Sequence, residues 1–212
     1  MNVDQLINDL SKAPPVKPKV KPLALFIRWF VASAAYLTVL VFLFGIRADI
    51  SAKIGNTLFT YEIASLFAVM ICVAISSIIL SYPDLCQKKW LLYLPALPLA
   101  AFLYIMYLSY NAEITLPGGY PRQGAGIECF ACICAFSFGP AFLLLRYLRK
   151  QATTHPRLTA GLAVLASLTF GAVVFRFCET TDSISHVITA HYLPLIGFAT
   201  LGVVLGKKLL RW

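Results

Sequence analysis

Six long apolar blocks constrain this chain more than any other feature of its sequence. A helix needs about 20 apolar residues to cross the ~30 Å hydrocarbon core of a bilayer, and each block meets or approaches that length. Backbone groups in lipid must be satisfied internally, and the alternating pattern of a membrane barrel is absent, so helices are expected. The blocks run Leu23 to Gly45, Tyr61 to Ser81, Trp90 to Leu108, Ile127 to Leu145, Leu158 to Phe175 and Val187 to Leu205.

The sequence therefore predicts an all-α, polytopic membrane protein with six transmembrane helices. Its 59% hydrophobic and 13% charged residues lie outside the range of soluble domains. Pro95 and Pro98 predict that the third helix is kinked or begins late. The first apolar block is too long for the apolar region of a signal peptide, so it is expected to remain as an anchor.

The distribution of basic residues predicts the orientation of the chain. Fourteen of the 18 Lys and Arg residues fall on one side of the predicted spans, which also carries both termini, and four fall on the other. The more basic side is expected to be cytoplasmic. Residues 1–22 then form a cytoplasmic N-terminal segment, residues 23–206 the transmembrane domain and residues 207–212 a basic tail. The net charge of +9 favours anionic lipid headgroups and predicts no direct nucleic-acid binding.

The N-terminal segment carries the pattern of a short amphipathic helix. Between residues 2 and 12 apolar side chains recur at i, i+3, i+4 and i+7, and a proline-rich, basic tether follows up to residue 22. Such a helix is marginal alone in water, so it is expected to fold against something. The acidic polar face favours a protein partner over the surface of an anionic membrane, which is the alternative. The predicted partner contacts are Val3, Asp4, Leu6, Ile7, Asp9 and Leu10.

Groups that membranes normally exclude collect at the outer ends of the last three predicted spans. Together they offer thiols, imidazoles and carboxylates, the donors of a divalent metal of zinc or cadmium type. Alternatively, the thiols of Cys129 and Cys178 lie at the same outer level and could form a disulfide in an oxidising compartment. The candidate residues for metal or redox sensing are Glu128, Cys129, Cys178, Glu179, Asp182, His186 and His191.

Two details refine this outer cluster. Asp182 and His186 are four residues apart, so they are expected on one face if that segment is helical. Neighbouring carboxylates attract cations and slow thiol oxidation, which favours metal sensing over oxidant sensing. Cys129, Cys178, Asp182 and His186 are the expected core of the site, with Glu128, Glu179 and His191 in supporting positions.

Other function classes are disfavoured by what the loops and span centres contain. The loops are short, and the sequence has no phosphate-binding glycine loop, nucleophile elbow or paired-carboxylate motif, so no enzyme is predicted. A membrane thiol oxidoreductase is one alternative, but the Cys129 to Cys132 spacing points into a predicted span. A small metal transporter is the other, and it would need polar groups at mid-membrane, where this chain is almost wholly apolar.

Several short motifs in a fixed order carry a family resemblance. In chain order they are Asp4-Gln5-Leu6 to Asp9-Leu10, Phe44-Gly45-Ile46-Arg47-Ala48-Asp49, Glu128-Cys129, Pro156-Arg157-Leu158-Thr159, Cys178 with Asp182 and His186, and the end from Gly206 to Trp212. With them the chain resembles the six-span NrsF-like negative regulators of extracytoplasmic-function sigma factors.

The resemblance implies a function as well as a fold. It implies a membrane-bound anti-sigma factor that holds an extracytoplasmic-function sigma factor at the bacterial inner membrane through its N-terminal segment. Release would follow an envelope stress, with heavy metal or oxidant acting on Cys129 and Cys178. Cys132 and Cys134 lie outside the family pattern, so the resemblance implies no role for them.

Overall fold

The computed structural model describes residues 20–82, 89–115, 126–151 and 153–211, together with Val3 and Gln5. Within these ranges six helices are long and apolar enough to cross a membrane, and they confirm the predicted all-α, six-helix fold. We call them spans 1 to 6: Pro22–Phe44, Thr57–Leu80, Trp90–Ile114, Ile127–Leu148, Pro156–Phe175 and Ile184–Leu209. The end of the bundle that holds residues 176–183 is called the outer end, following the predicted orientation.

Two spans are composite, and proline contributes to both. Span 3 begins within a 3₁₀-helix, Lys89–Tyr93, and is α-helical only over Ala96–Ile114, the late start that Pro95 and Pro98 predict. Span 6 consists of a short α-helix at Ile184–His186, a π-helix at Val187–Tyr192 and an α-helix at Leu193–Leu209. Pro194 has no N–H to donate to the preceding turn, so the α-helical ladder is interrupted where the π-helix lies. A further short α-helix, Ile50–Ile54, follows span 1.

Span 5 occupies the centre of the bundle, where it packs against spans 2, 4 and 6. Most residues of its buried face are Gly, Ala, Ser or Thr, whose small side chains let neighbouring helices approach closely. A Cβ atom on Gly161 would lie 2.3 Å from Val203 Cγ2, and one on Gly206 would lie 2.5 Å from the Cα of Arg157. The inner halves of spans 5 and 6 are therefore held together by direct backbone packing.

Hydrogen bonds join the inner ends of several elements. Ser77 of span 2 donates to the carbonyl of Thr159 at 2.9 Å, and Thr153 donates to that of Leu80 at 3.2 Å. The Tyr82 hydroxyl donates to the carbonyl of Val20, in the tether that precedes span 1. The point where the N-terminal tether meets the bundle is thus bound to the inner end of span 2.

The segment that leads into span 6 differs from its prediction. The helix begins only at Ile184, so Asp182 and His186 do not share a helical face. The reason is Ser183, whose side chain accepts a hydrogen bond from the His186 amide and caps the helix there. Among the predicted partner contacts, Val3 is helical and exposed. The other five, Asp4, Leu6, Ile7, Asp9 and Leu10, lie outside the described residues.

Candidate functional site

Four potential metal ligands meet at the outer end of the bundle. One donor atom from each of Cys129, Glu179, His186 and His191 lies within 4.8 Å of the others. Cys129 stands in the first turn of span 4, Glu179 in the loop after span 5, and both histidines in the outer part of span 6. We call these four residues the outer donor cluster.

Glu179 is the centre of this cluster. Its Oε1 accepts a hydrogen bond from the Cys129 thiol at 3.3 Å and lies 3.6 Å from His186 Nε2. Its Oε2 lies 2.9 Å from His191 Nε2, a distance of an ion pair without the alignment of a hydrogen bond. One carboxylate therefore touches all three of the other donors.

The π-helix explains how His186 and His191 come to share this site. They are five residues apart, which in an α-helix would put them about 140° apart around the axis. A π-helix is closed by i→i+5 hydrogen bonds, so residues five apart fall close to the same face. The two imidazole centroids are accordingly 5.5 Å apart.

A close contact between spans 4 and 6 completes the site. A Cβ atom on Gly126 would lie 2.1 Å from Ala190 Cβ and 3.3 Å from His186 Cε1. The start of span 4 therefore lies directly against the π-helix, because Gly126 has no side chain to separate them. This contact brings Cys129, one turn further along, to the level of the histidines.

The outer donor cluster consists of two buried residues, Glu179 and His191, and two half-buried ones, Cys129 and His186, and its centre carries a negative charge. Burial alone would raise the pKa of Glu179, but the His191 and Cys129 side chains outweigh it, and the net effect lowers the pKa below its usual value. Glu179 is therefore ionised at neutral pH. His191 is fully buried, and neither of its ring nitrogens has a hydrogen-bond partner among the described residues.

A buried ion pair flanks the cluster, and the sequence-based site did not include it. Arg176 donates to the two carboxylate oxygens of Glu62 at 3.0 and 3.3 Å, and the Tyr192 hydroxyl donates to the same carboxylate. Burial lowers the pKa of Arg176, but the charge of Glu62 raises it by more. The signal in the sequence was a pair of opposite charges, Glu62 and Arg176, at the outer ends of two apolar segments.

This ion pair and the donor cluster are adjacent along the chain. Tyr192 directly follows His191, and Arg176 precedes Glu179 by three residues. Arg176 also donates to the carbonyl of Thr181 at 3.0 Å, which holds the loop that carries Glu179. The ion pair thus fixes the backbone on both sides of the cluster.

The remaining predicted site residues lie apart from the donor cluster. Asp182 forms salt bridges with Arg47 at 3.1 Å and Lys53 at 2.8 Å, so its charge is already neutralised. The Cys178 thiol, just past the end of span 5, donates to the carbonyl of Val174 at 3.9 Å. Glu128 is exposed. Cys129 and Cys178 are both free thiols, and the sensing role of all seven residues stays a prediction.

Span 3 also reaches this end of the bundle, through a residue that sequence reasoning did not single out. Glu113 accepts hydrogen bonds from the Ser183 hydroxyl at 2.8 Å and the Ser185 amide at 3.0 Å. The carboxylate of span 3 therefore fixes the start of span 6, next to His186.

Comparison with known proteins places the chain in a family. A family model described as NrsF, negative regulator of sigma F, matches residues 10–212. The chain belongs to the NrsF family. The residues that match the NrsF family include all six spans, and the match confirms the resemblance seen in the sequence motifs. No curated protein and no solved structure gives a significant match.

The family assignment identifies this NrsF-family chain as a negative regulator of a sigma factor. The match begins at residue 10, so it includes only the last of the predicted partner contacts, Leu10. The family match and the six spans together describe a multi-pass membrane protein that acts on transcription through a sigma factor.

Proposed function

We propose that this protein sequesters an extracytoplasmic-function sigma factor at the bacterial inner membrane and releases it when a metal or oxidative signal reaches its outer end. The observation that carries the proposal is the outer donor cluster, in which a thiol, a carboxylate and two imidazoles meet within 4.8 Å. Buried groups of this kind at a span end are costly unless they have a role. A sensor is the role that fits a regulator with short loops.

The sigma factor would bind at the opposite end of the bundle. The predicted contact is the N-terminal segment with Val3, Asp4, Leu6, Ile7, Asp9 and Leu10, which leads through the basic tether to Val20. Support comes from the hydrogen bond between Tyr82 and Val20, because it connects the start of the bundle to the inner end of span 2. A shift of span 2 would therefore move the tether.

Co-expression with the sigma factor of the adjacent gene tests this function. We expect the sigma factor to sediment with membranes that contain the full chain and to become soluble when residues 2–12 are deleted. In a control variant, only Gln5 is changed to Ala, and Asp4 and Asp9 are kept. The sigma factor should still sediment with membranes that contain this variant. Sedimentation that survives the deletion would remove the N-terminal segment from the interaction.

Addition of cadmium or an oxidant to cells with a sigma-dependent reporter tests the signal. We expect induction with the unaltered chain and loss of induction when both Cys129 and Cys178 are replaced by Ser. Induction that is unchanged in this double variant would contradict a sensing role for the two thiols.

A metal transporter is the alternative function, and the residues inside the spans argue against it. Charged side chains of the described spans lie within about two turns of a span end. Deeper buried polar groups there include Ser167 and Thr169, whose hydroxyls donate to carbonyls of their own helix at 2.8 and 2.7 Å. Metal uptake into vesicles that contain the purified protein would support the transporter instead of the regulator.

A further inference from the structure

Most of the buried side-chain polar atoms that lack a hydrogen-bond partner among the described residues belong to the outer donor cluster. Four buried atoms lack a hydrogen-bond partner among the described residues: Glu179 Oε2, His186 Nε2 and both ring nitrogens of His191. Buried polar groups are otherwise paired almost without exception, and an ion or a water molecule commonly satisfies those that are not. The four atoms belong to three of the four residues whose donor atoms converge.

We propose that the outer donor cluster is a single-ion site for a zinc-class divalent cation, with Glu179, His186 and His191 as ligands and Cys129 as the fourth. The proposal rests on the proposed sensing function and specifies the site at which that function begins. It assigns no ligand role to Cys178 or Asp182. The Cys178 thiol lies against a backbone carbonyl, and the Asp182 carboxylate lies between two basic side chains.

The distances in the cluster are close to those that a tetrahedral ion requires. With zinc bonds of about 2.0–2.3 Å, neighbouring ligand atoms of a tetrahedral ion are separated by roughly 3.3–3.8 Å. Glu179 Oε1 lies 3.3 Å from Cys129 Sγ and 3.6 Å from His186 Nε2. All four donor atoms lie within 4.8 Å of one another, so closure around an ion requires movements of about 1 Å.

The donor set selects the class of ion. Two imidazoles, one carboxylate and one thiolate suit zinc, cadmium and cobalt(II), which accept nitrogen and sulfur ligands. Calcium and magnesium require six or more oxygen ligands, and this cluster supplies one carboxylate. Copper(II) would compete on affinity alone, so it is a necessary comparison in any binding experiment.

Binding would exchange the thiol proton for the metal. Without an ion the Cys129 thiol keeps its proton and donates a hydrogen bond to Glu179. When a divalent ion enters, the thiol becomes a thiolate ligand, the sulfur–hydrogen bond is replaced by a sulfur–metal bond, and the proton leaves to solvent. No electron is transferred, so the site needs no oxidant.

Cobalt(II) is the probe that tests both stoichiometry and ligand identity. The full-length protein is purified in detergent, stripped of metal and titrated with cobalt(II), and zinc and cadmium are then used in competition. We expect one ion per chain and a sulfur-to-cobalt charge-transfer band. The band should vanish in Cys129→Ser, while the visible bands of a four-coordinate ion persist.

Matched substitutions separate the ligands from their neighbours. Glu179→Gln and His191→Gln should each weaken zinc binding by roughly 10–100-fold, the range seen when even a supporting group of a metal site is lost. Asp182→Asn and Cys134→Ser are the controls of the same chemical types and should leave the affinity unchanged. Unchanged affinity in both Glu179→Gln and His191→Gln would overturn the site, as would the absence of stoichiometric binding by the unaltered protein.

A ligand variant that fails to fold gives neither result, so Cys129→Ser provides an independent test. Its thiol is half-buried, and serine is nearly the same size. A charge-transfer band that persists in this variant would overturn the assignment of Cys129. Binding without sigma release would contradict the proposed function and leave the site intact. Metal-dependent release in variants that no longer bind would contradict the site and leave the regulator intact.

Discussion

Cys129 and Cys178 are one residue type in two different environments. The Cys129 thiol faces Glu179 within the donor cluster, whereas the Cys178 thiol faces a carbonyl of span 5. Burial also raises the pKa of the Cys178 thiol, so little thiolate is available at neutral pH. The two thiols are therefore expected to act at different stages of a response.

The first prediction separates these stages. Cys129→Ser should lower zinc affinity by about tenfold or more, whereas Cys178→Ser should leave it unchanged. If both variants lose metal induction of a sigma-dependent reporter, Cys178 acts after binding. Parallel titration of the two purified variants and the reporter assay measure this, and an equal loss of affinity in both would contradict the distinction.

The second prediction concerns the buried ion pair. Replacing Glu62 by Gln leaves Arg176 buried and unpaired, which costs about 3–5 kcal/mol, so thermal unfolding in detergent should occur at a clearly lower temperature. Glu62→Gln combined with Arg176→Met should recover part of the loss. Glu128→Gln, an exposed acidic residue near the same end, is the control with little effect.

Residue types were predictable from the sequence, but their partners were not. The ends of the apolar segments predict that Glu179, His186 and His191 lie at the outer end of the bundle. Whether Glu179 or Cys178 joins the outer donor cluster depends on the turn that follows span 5, because adjacent side chains there point in different directions. Asp182 is neutralised by Arg47, which lies 135 residues away in sequence, and spacing alone cannot indicate such a contact.

At the scale of single elements, the outer half of span 6 is the part most sensitive to a change in shape. Its inner half is held against span 5 by Gly161 and Gly206, and its outer half is a π-helix against Gly126. A π-turn has an extra residue compared with an α-turn, so small movements of the histidines change the local winding. Ligand binding would therefore act on the outer half first.

The third prediction tests this contact between elements. Gly126→Val should push the start of span 4 from the π-helix, because even a Cβ atom there would lie 2.1 Å from Ala190 Cβ. Zinc affinity should fall, since Cys129 moves away from the histidines. Gly197→Val is the matched control in span 6, because no atom lies within 4 Å of a Cβ there. Equal affinities in the two variants would show that the contact does not position the site.

Six helices were predictable because apolar length is a local property that can be counted. The late start of span 3 was predictable for the same reason, since proline acts on its own turn. The π-helix was not, because it arises from Pro194 together with the packing of Ala190 against another span. An α-helical spacing of four therefore suggested Asp182 with His186, whereas the structure pairs His186 with His191.

For the whole molecule, spans 2 and 5 connect the two ends of the bundle. The outer ends of these spans are joined by Glu62 and Arg176, and their inner ends by Ser77 and the Thr159 carbonyl. The inner end of span 2 also reaches Val20 through Tyr82. A change near the donor cluster can thus reach the tether along one pair of packed helices.

The fourth prediction tests this route. Tyr82→Phe removes a hydrogen bond worth about 0.5–1.5 kcal/mol, which limits its effect on metal-dependent sigma release to about tenfold. We expect release to weaken while zinc affinity of the purified protein stays constant. The membrane-sedimentation assay at increasing zinc concentration measures the first quantity, and a parallel loss of affinity would contradict the route.

The fifth prediction concerns orientation. With 14 of the 18 basic residues on the side of both termini, a fluorescent protein fused after residue 212 should fluoresce in the cytoplasm. An alkaline phosphatase fused at the same place should be inactive, whereas one fused between residues 116 and 125 should be active. The reverse pattern would place the donor cluster on the cytoplasmic side.

The π-helix has a consequence for how this protein can change over evolution. A deletion or insertion of one residue between His186 and His191 would rotate one imidazole by about 100° relative to the other. Loss of Pro194 would let the same stretch return to α-helical winding and separate the histidines without altering either of them. Gene variants that lose metal recognition should therefore include length changes in this short stretch and substitutions of a proline that contacts no ion.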